Sequence, residues 1–285
     1  GITVNKTLRR AAAAAFALLM GAAPAFAMTI GTFNIEFFSM SGSSEDRSQP
    51  YTPADMRELA DSIRRSNADV LALQEIEGNA TMRFFVATAL PGWKYFGNDT
   101  DGTQDLFFLW NPAKVTLVGT PQLYYANQTG RFEGRKFKLF DRPPLVARFK
   151  DNASGNIYTL ANVHLKSMTT IGKSDADVAL RYNLAKRAAQ TQKLDELAQR
   201  LEKPAFILGD YNSPDPQKEV SFPLLGLRHG YSFDNWNNNL DYIGCVGIGR
   251  DKLGETKETE TRIRHRSTRR KDHPDHDIVA VEIRD

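Results

Sequence analysis

The chain of 285 residues contains little cysteine, has no hydrophobic run of membrane-spanning length, and carries no net charge outside its first residues. Its one cysteine, Cys245, excludes a disulfide within the chain. Lys6, Arg9 and Arg10 are the only charged residues before Met28, and without them the 37 basic residues fall to 34, equal to the 34 acidic residues. A protein that is basic overall is therefore excluded, and any attraction to nucleic acid has to come from local patches.

The first 27 residues have the pattern of a secretory signal peptide. Three basic residues precede an apolar run, 11–22, and residues 25–27 read Ala-Phe-Ala, which is typical of a cleavage site. The apolar run is shorter than the roughly 20 residues of a transmembrane helix. We therefore expect cleavage after Ala27, export to the periplasm or the medium, and no membrane anchor afterwards.

The remaining residues, 28–285, are predicted to form a single domain, because no Pro-, Ser- or Gly-rich linker and no repeat divides them. No feature implies a stable protein partner, and we expect a monomer. One local basic cluster near the C-terminus is either a nucleic-acid patch or a solvated loop paired with neighbouring acids. It consists of Arg262, Arg264, Arg266, Arg269, Arg270 and Lys271.

Short apolar runs bounded by polar residues predict a series of β-strands, several of them too apolar for a sheet with one solvated face. The runs are Met28–Phe33, Val70–Leu73, Leu106–Trp110, Leu145–Phe149, Ile157–Val163, Ala205–Leu208, Tyr242–Ile248 and Ile278–Ile283. The short connection between 106–110 and 115–118 predicts an antiparallel hairpin. The pattern favours an α/β fold with a mixed sheet, or two packed sheets, covered by helices.

Two helices are predicted between these strands. The sequence Thr52-Pro53-Ala54-Asp55 combines a cap, a proline at the first helical position and an acid in the first turn. A second helix is predicted over residues 175–200, with Leu180, Leu184, Ala188, Leu194 and Leu197 near one face.

Six polar residues stand at the ends of the predicted strands. Four of them follow a strand and two precede one: Asn34, Glu75, His164 and Asp210, then Asp241 and His276. In a mixed sheet the C-terminal end of one strand and the N-terminal end of its antiparallel neighbour share an edge, so these side chains are expected to meet in one cleft. Each alone has an ordinary explanation as a turn residue, a surface acid or a core histidine, but the joint pattern favours a site.

The motifs around these residues, taken in order, resemble those of the endonuclease/exonuclease/phosphatase superfamily over essentially all of residues 28–285. They are Thr32-Phe33-Asn34-Ile35-Glu36, Leu73-Gln74-Glu75, Asn162-Val163-His164-Leu165, Leu208-Gly209-Asp210-Tyr211-Asn212, Leu240-Asp241-Tyr242-Ile243 and Asp275-His276. The resemblance implies a four-layer sandwich of two packed mixed β-sheets flanked by α-helices. It also implies metal-dependent hydrolysis of phosphoesters.

The same resemblance implies roles for individual residues. It implies that Glu75, Asn34 and Asp275 are metal ligands, that His276 is the base that activates water, and that Asp241 orients this base. It also implies that Asp210 and Asn212 position the water and the phosphate, and that His164 donates a hydrogen bond to a phosphate oxygen. Arg142 and Asn162 are the implied substrate contacts. Sparse hard oxygen ligands suit Mg²⁺, with Mn²⁺ and Ca²⁺ as alternatives.

The terminal motif departs from the family pattern. Pro274 stands where related sequences carry serine, and a second pair, Asp272-His273, lies three residues earlier. We assign the motif to Asp275-His276 because the last predicted strand follows at once.

Substrate class stays open on the sequence. A secreted nuclease that cleaves DNA, with RNA as an additional substrate, is the first hypothesis. A narrower version is a toxin nuclease subunit that resembles the cytolethal distending toxin. A sphingomyelinase-like or inositol phosphate phosphatase-like enzyme is the second, and an exposed aromatic hairpin would favour its lipid form; Phe37-Phe38 and Tyr124-Tyr125 are the candidates. A catalytically silent binding protein on the same scaffold is disfavoured by the completeness of the site.

Overall fold

The computed structural model describes residues 26–41, 50–233, 237–261, 263 and 274–284. The predicted signal peptide up to residue 25, all six members of the basic cluster, and Asp272 and His273 lie outside these ranges. Among the described residues, no helix combines the length and hydrophobicity needed to cross a membrane.

Three α-helices, two single-turn 3-10 helices (Pro216–Lys218 and Arg250–Lys252) and fourteen strands account for the regular structure of the described ranges. The α-helices are α1 (Pro53–Arg65), α2 (Gly78–Ala89) and α3 (Ala176–Arg200). The strands are β1 (Phe26–Phe38), β2 (Val70–Ile76), β3 (Lys94–Gly97), β4 (Asp105–Trp110), β5 (Val115–Leu123), β6 (Thr129–Phe132), β7 (Arg135–Lys138), β8 (Leu145–Asp151), β9 (Ile157–His164), β10 (Ala205–Asp210), β11 (Leu224–Leu225), β12 (Asp241–Val246), β13 (Lys257–Thr259) and β14 (Ile278–Arg284).

Twelve of the strands form two six-stranded sheets of similar design. The first has the order β13-β14-β1-β2-β4-β3, and the second has the order β11-β12-β10-β9-β8-β5. Each sheet contains one parallel pair at its centre, β1 with β2 and β9 with β10, while the other pairs are antiparallel. Both sheets are therefore mixed, as predicted.

Three hydrophobic cores separate four layers. The central core lies between the sheets, where Phe149 of the second sheet packs edge-on against Phe108 and Trp110 of the first. A second core joins the first sheet to α1 and α2, and a third joins the second sheet to α3. The architecture is thus the predicted four-layer sandwich, and burial of apolar side chains in three separate layers is its main source of stability.

Helix α1 begins where the sequence predicts. The Thr52 side chain accepts a hydrogen bond from the backbone N–H of Asp55, and the Asp55 side chain accepts one from the backbone N–H of Thr52. This reciprocal capping box satisfies two N–H groups that the helix itself leaves without partners. Pro53 occupies the first turn, where a missing N–H costs nothing.

The predicted hairpin between 106–110 and 115–118 is wrong. Strand β4 pairs with β2 and β3 in the first sheet, whereas β5 pairs with β8 in the second. The short turn between them is closed by a hydrogen bond from the N–H of Val115 to the carbonyl of Asn111, and it carries the chain from one sheet to the other. Stacked sheets lie only about 10 Å apart, so a short turn can cross between them as readily as along one of them.

Sequence periodicity also assigned the wrong buried face to the first half of α3. Leu180 and Leu184 are exposed, whereas Leu194 and Leu197 are buried as predicted. The first half instead buries polar side chains: Asn183, Lys186, Arg187, Gln190 and Thr191. Helix α2 was not predicted at all, although Met82, Phe85 and Val86 have helical spacing and are buried.

One glycine is required by the close approach of β9 and β10. A Cβ atom on Gly209 would lie 1.9 Å from the backbone carbonyl oxygen of Val163, and the φ angle of Gly209 is 154°. The residue directly after it, Asp210, belongs to the predicted site, so the glycine lets β10 deliver that carboxylate beside β9.

We expect Gly209→Ala to destabilise the fold by about 3 kcal/mol, because the obstructing atom is backbone and cannot move aside. Gly119→Ala is the matched control: Gly119 also has positive φ, but a Cβ there meets no atom within 4 Å. We expect Gly119→Ala to lose about 1 kcal/mol of stability, because only the left-handed backbone conformation opposes the new side chain. Urea unfolding followed by circular dichroism compares the two, and equal losses would contradict the steric argument.

Candidate active site

The two parallel strand pairs end at the same edge of the sandwich. In the first sheet Asn34 lies opposite Gln74, and in the second sheet Asp210 lies between His164 on β9 and Asp241 on β12. The start of β14 brings His276 to this edge from the opposite chain direction. The strand register therefore brings these strand ends together, as predicted.

Irregular backbone turns the first-sheet side chains towards the cleft. The pairing of β2 with β4 shifts register between Leu73 and Ile76, and Glu75 within that gap has a φ angle of 62°. Phe37, in the corresponding irregularity of β1, has a φ angle of 44°. Left-handed conformations are costly for residues other than glycine and cluster at functional sites, where the surrounding structure holds them in place.

His276 and Asp241 form the pair that the resemblance implies for a base and its orienter. The Nδ1 atom of His276 lies 2.8 Å from Oδ2 of Asp241, and both side chains are buried. The ring of Phe233 packs on the imidazole at a centroid distance of 4.8 Å, and Nε2 lies 3.6 Å from Oδ2 of Asp210. The ring is therefore fixed by one carboxylate and directed at the cleft.

The charge state of His276 follows from its neighbours. Burial lowers the pKa of the ring, but Asp241, Asp210 and Asp275 together raise it well above the usual value. The imidazolium is therefore the favoured form when these carboxylates are ionised. Such a histidine is a strong base, but it can accept a proton only after it has lost the one it already carries. That loss occurs at higher pH, or when positive charge nearby offsets the carboxylates.

A second group of side chains surrounds Asn34. Its Nδ2 atom donates to Oε2 of Glu75 at 2.5 Å and to Oδ2 of Asp210 at 2.9 Å, joining carboxylates from the two sheets. Burial raises the pKa of Glu75 to about 7 and that of Asp210 to about 6. Two buried carboxylates so close together resist ionisation unless a cation compensates them.

The residues present fit a divalent cation. The Oδ1 atom of Asn34 is buried and has no hydrogen-bond partner among the described residues, next to the carboxylate of Glu75. Ligand atoms of Glu75, His164 and Asp210 lie within 4.8 Å of one another. An amide oxygen beside carboxylates is a hard donor set of the kind that Mg²⁺, Mn²⁺ and Ca²⁺ accept. Glu75 and Asn34, the predicted ligands, lie close enough together to hold such an ion.

His164 differs from His276 in its charge. Burial, reinforced by Arg142 and His276, lowers its pKa well below the usual value, so the ring is neutral at neutral pH. Nε2 lies 3.4 Å from Oδ2 of Asp210, and the buried Nδ1 has no partner among the described residues. A neutral imidazole can still donate one hydrogen bond, which is what its implied contact with a phosphate oxygen requires.

Asn162 requires a correction, because it cannot serve as the expected substrate contact. Its side chain is completely buried between the sheets, where Nδ2 donates to the backbone carbonyls of Leu73 and Phe107, both at 2.9 Å. Oδ1 accepts from Gln74 at 2.9 Å. Both N–H groups and the carbonyl oxygen of this side chain are therefore engaged between the two sheets beneath the site, and none is left for a substrate.

The remaining predicted residues lie around the edge. Asn212 donates from Nδ2 to the carbonyl of Leu165 at 2.8 Å, and its backbone N–H donates to Asp210. Asp275 approaches His276, with Oδ1 3.8 Å from Nε2 of that ring. Asn212 thus braces the adjoining loop, and Asp275 lies on the histidine side of the cleft.

Arg142 is tied to the backbone beside the site. Its NH2 group lies 3.3 Å from the carbonyl oxygens of His164 and Leu165, and NH1 donates to Gln104 at 3.2 Å. The buried Nε has no partner among the described residues. The guanidinium therefore supplies positive charge at the rim and fixes the end of β9.

Glu36 belongs to the site, although the sequence analysis gave it no role. It is buried, and its Oε2 accepts a hydrogen bond from the backbone N–H of Asp275 at 3.0 Å. This contact anchors the chain just before His276 to the end of β1. The sequence signal was its place two residues after Asn34, on the same side of an extended strand.

The fold is shared with several solved structures of low sequence identity. An endonuclease/exonuclease/phosphatase from Bacteroides vulgatus has a TM-score of 0.61 and 14% identity, with 90% of this chain and 98% of that chain covered. The mannosyl-6-phosphatase of Bacteroides thetaiotaomicron has a TM-score of 0.59 and 17% identity, covering 90% and 99%. TDP2 of D. rerio, solved in complex with a single-strand DNA product, has a TM-score of 0.60 and 12% identity, also covering 90% and 99%.

A family model described as the Endonuclease/Exonuclease/phosphatase family matches residues 31–262. The chain belongs to this family and is a hydrolase of its superfamily, as the motifs indicated. Comparison with curated protein sequences gave no match.

The His276–Asp241 pair predicts a shift in pH dependence. Asp241→Asn removes the carboxylate that stabilises the protonated ring of His276, so the pKa of His276 falls. The ascending limb of the pH–rate profile therefore moves to lower pH. We expect kcat to fall by about 10²- to 10⁴-fold as well, because the ring loses its orientation. Hydrolysis of bis(p-nitrophenyl) phosphate across pH measures both effects, with the exposed Asp251→Asn as control; an unmoved limb would contradict the assignment of His276.

The role found for Asn162 predicts a loss of stability. Asn162→Leu removes the donors to two buried backbone carbonyls and one acceptor of the Gln74 amide, which should cost about 3 kcal/mol. The same substitution at the exposed Asn127 should cost little. Urea unfolding compares them, and similar losses at the two positions would show that the cross-sheet hydrogen bonds contribute nothing.

Proposed function

We propose that this chain is a metal-dependent nuclease that cleaves phosphodiester bonds of DNA through water activated by His276. The observation that carries the proposal is the 2.8 Å contact between His276 and Asp241 beside the Asn34–Glu75–Asp210 group. It supports the proposal because a histidine held by a carboxylate lies beside side chains that could hold a cation, and phosphoester hydrolysis requires both an oriented base and charge compensation.

In this mechanism His276 removes a proton from water through Nε2, and Asp241 stabilises the resulting imidazolium. His164 and Arg142 provide hydrogen-bond donors and positive charge on the side of the cleft where β9 ends. Asp210, within 3.6 Å of both histidine rings, is placed to orient the water. Glu75 and Asn34 would hold a divalent ion, which we propose is Mg²⁺, and that ion would offset the charge on the phosphate oxygens.

The surroundings of the site support a nucleic-acid substrate over a lipid. Phe38 is buried in the core, and Tyr124 and Tyr125 pack against the core beneath α3, so neither aromatic pair forms an exposed apolar tip. The β6–β7 hairpin carries exposed Arg131, Arg135, Lys136 and Lys138 instead. A polyanion is the ligand that such a hairpin attracts.

A small phosphoester is the second candidate, favoured by one cavity. A pocket of about 210 Å³ adjoins the site and is lined by Arg142, Gln104 and Asp105, among others. Its size and polar lining suit a small substrate better than a polymer. Export after removal of residues 1–27, and action as a monomer, complete the proposal.

The test is hydrolysis of plasmid DNA by the purified mature protein with Mg²⁺ and with EDTA. We expect nicking that requires the metal, and we expect its rate to be lower by about 10²-fold or more in His276→Ala. His229→Ala is the matched control, because His229 is exposed and lies outside the site.

The same preparations are assayed with sphingomyelin and with phosphomonoesters. Intact DNA together with turnover of one of these would replace the nuclease by the second candidate or by a lipid phosphodiesterase. Equal nicking by His276→Ala and wild-type protein would remove His276 from the mechanism.

A further inference from the structure

A groove lies between the β6–β7 hairpin and the N-terminal half of α3, apart from the acidic cluster of the site. Its volume is about 670 Å³, and four cations line it: Arg135, Lys136, Lys166 and Lys173. Three of them, Arg135, Lys136 and Lys173, are exposed, and Lys166 is half-buried.

The acids of the groove are engaged elsewhere, whereas the cations are not. Glu133 accepts from Arg181 at 3.1 Å, and Asp175 caps α3 by accepting from the backbone N–H of Val178. Arg135, Lys136 and Lys173 form no salt bridge with any described residue. The groove therefore presents uncompensated positive charge.

Aromatic rings stand among these cations. Tyr182 of α3 meets Phe132 and Phe137 of the hairpin edge-on, at centroid distances of 5.8 and 5.6 Å. Lys186 lies 5.7 Å from the ring centroid of Phe137 and 5.9 Å from that of Tyr182, and pairs with Asp141 at 2.8 Å. The rings are held rigidly and half-buried, so they line the groove rather than project from it.

Lys166 connects the groove to the catalytic edge. It follows His164 by two residues, and α3 fixes its backbone: Gln190 accepts from its N–H at 2.9 Å, and Arg187 donates to its carbonyl at 2.7 Å. Burial lowers the pKa of Lys166; Asp141 opposes this, and repulsion from Lys186, Arg142 and Lys173 adds to it. Arg142 in turn contacts the carbonyl of His164. An anionic ligand along this path would relieve the repulsion among the cations.

We propose that this groove binds the single-stranded nucleic-acid segment that flanks the scissile phosphate. Lys136, Lys166 and Lys173 contact its phosphates, and Tyr182 offers a stacking surface to an unpaired base. Alternating cations and aromatic rings in a concave surface are what unpaired nucleic acid requires, because each base needs a free ring face and each phosphate a positive charge. This inference rests on the proposed nuclease function.

A lipid surface fits the groove less well. Membrane insertion needs apolar side chains that project from the surface, whereas the hairpin aromatics face α3 and its exposed positions include Arg131, Arg135, Lys136 and Lys138. A nucleic-acid duplex also fits less well, because its bases are already stacked on one another and cannot stack on an aromatic side chain in a groove.

The experiment measures binding of a fluorescein-labelled oligothymidylate by anisotropy, in a His276→Ala background without metal so that no cleavage occurs. The double variant Lys136→Gln/Lys173→Gln should bind more weakly, and the slope of log affinity against log salt should become shallower by about 1.4, the value for two lost single-strand phosphate contacts. Tyr182→Ala should weaken binding at least about fivefold, and Tyr182→Phe should restore it.

Lys94→Gln is the matched control. Lys94 is exposed on β3 and pairs with Trp110, at the end of the first sheet away from Glu75, so its loss should leave affinity and salt slope at the wild-type values. Wild-type affinity and slope in the double variant would overturn the proposal. So would vesicle binding through phosphatidylglycerol that depends on these lysines while oligothymidylate binding does not.

Cleavage of the same oligothymidylate by the metal-loaded wild-type protein separates the two proposals. Cleavage by wild-type protein with unchanged binding by the groove variants defeats the groove alone. Loss of binding in the groove variants without any wild-type cleavage defeats the nuclease function and leaves the groove as a nucleic-acid site.

Discussion

The whole edge of the sandwich depends on how buried negative charge is balanced. Glu75, Asp210 and Asp241 are all buried there, and Asp241, Asp210 and Asp275 together raise the pKa of His276 well above its usual value. Burial raises the pKa of Glu75 and of Asp210, and the neighbouring carboxylates add to this rise while the charge of His276 opposes it. Either protons or a cation can complete the balance, so the fold provides carboxylates that could hold a divalent ion before any substrate arrives.

Two sheets are needed to assemble this charge. Glu75 and Asn34 come from the first sheet, and Asp210 and Asp241 from the second, with the Asn34 amide bridging them. His276 reaches across, because it precedes a strand of the first sheet but pairs with a carboxylate of the second. The packing that brings the sheets together therefore fixes the distances within this group of side chains, and a small change in sheet spacing would separate His276 from Asp241.

Sequence reasoning reached this edge because its signals are local. A run such as 205–208 followed by Gly209-Asp210 marks a strand end in any fold, and the order of the motifs then identified the family. Which sheet a strand joins is not local: 106–110 and 115–118 are neighbours in sequence but belong to different sheets. A short connection has the same appearance whether it turns within a sheet or crosses between two.

Buried polar side chains were the other point at which the sequence misled. Asn162 has the residue type and position of a substrate contact, yet it satisfies backbone carbonyls between the sheets. The first half of α3 likewise covers loop backbone and not apolar side chains, so its buried face is polar. Periodicity detects burial only where burial is apolar, and no local pattern separates an amide that serves the backbone from one that serves a ligand.

The same polar face ties the proposed groove to the edge that carries His164 and Asp210. Arg187 is almost fully buried and holds the carbonyls of Lys166 and Tyr211, each at 2.7 Å, while its guanidinium is paired with Glu219. One helix thus fixes the segments that follow β9 and β10, the two strands that carry His164 and Asp210. Because Arg187 fixes the backbone of Lys166 and of Tyr211, a ligand held by Lys166 in the proposed groove would stay in register with the proposed catalytic edge, and binding energy gained there could act on the chemical step.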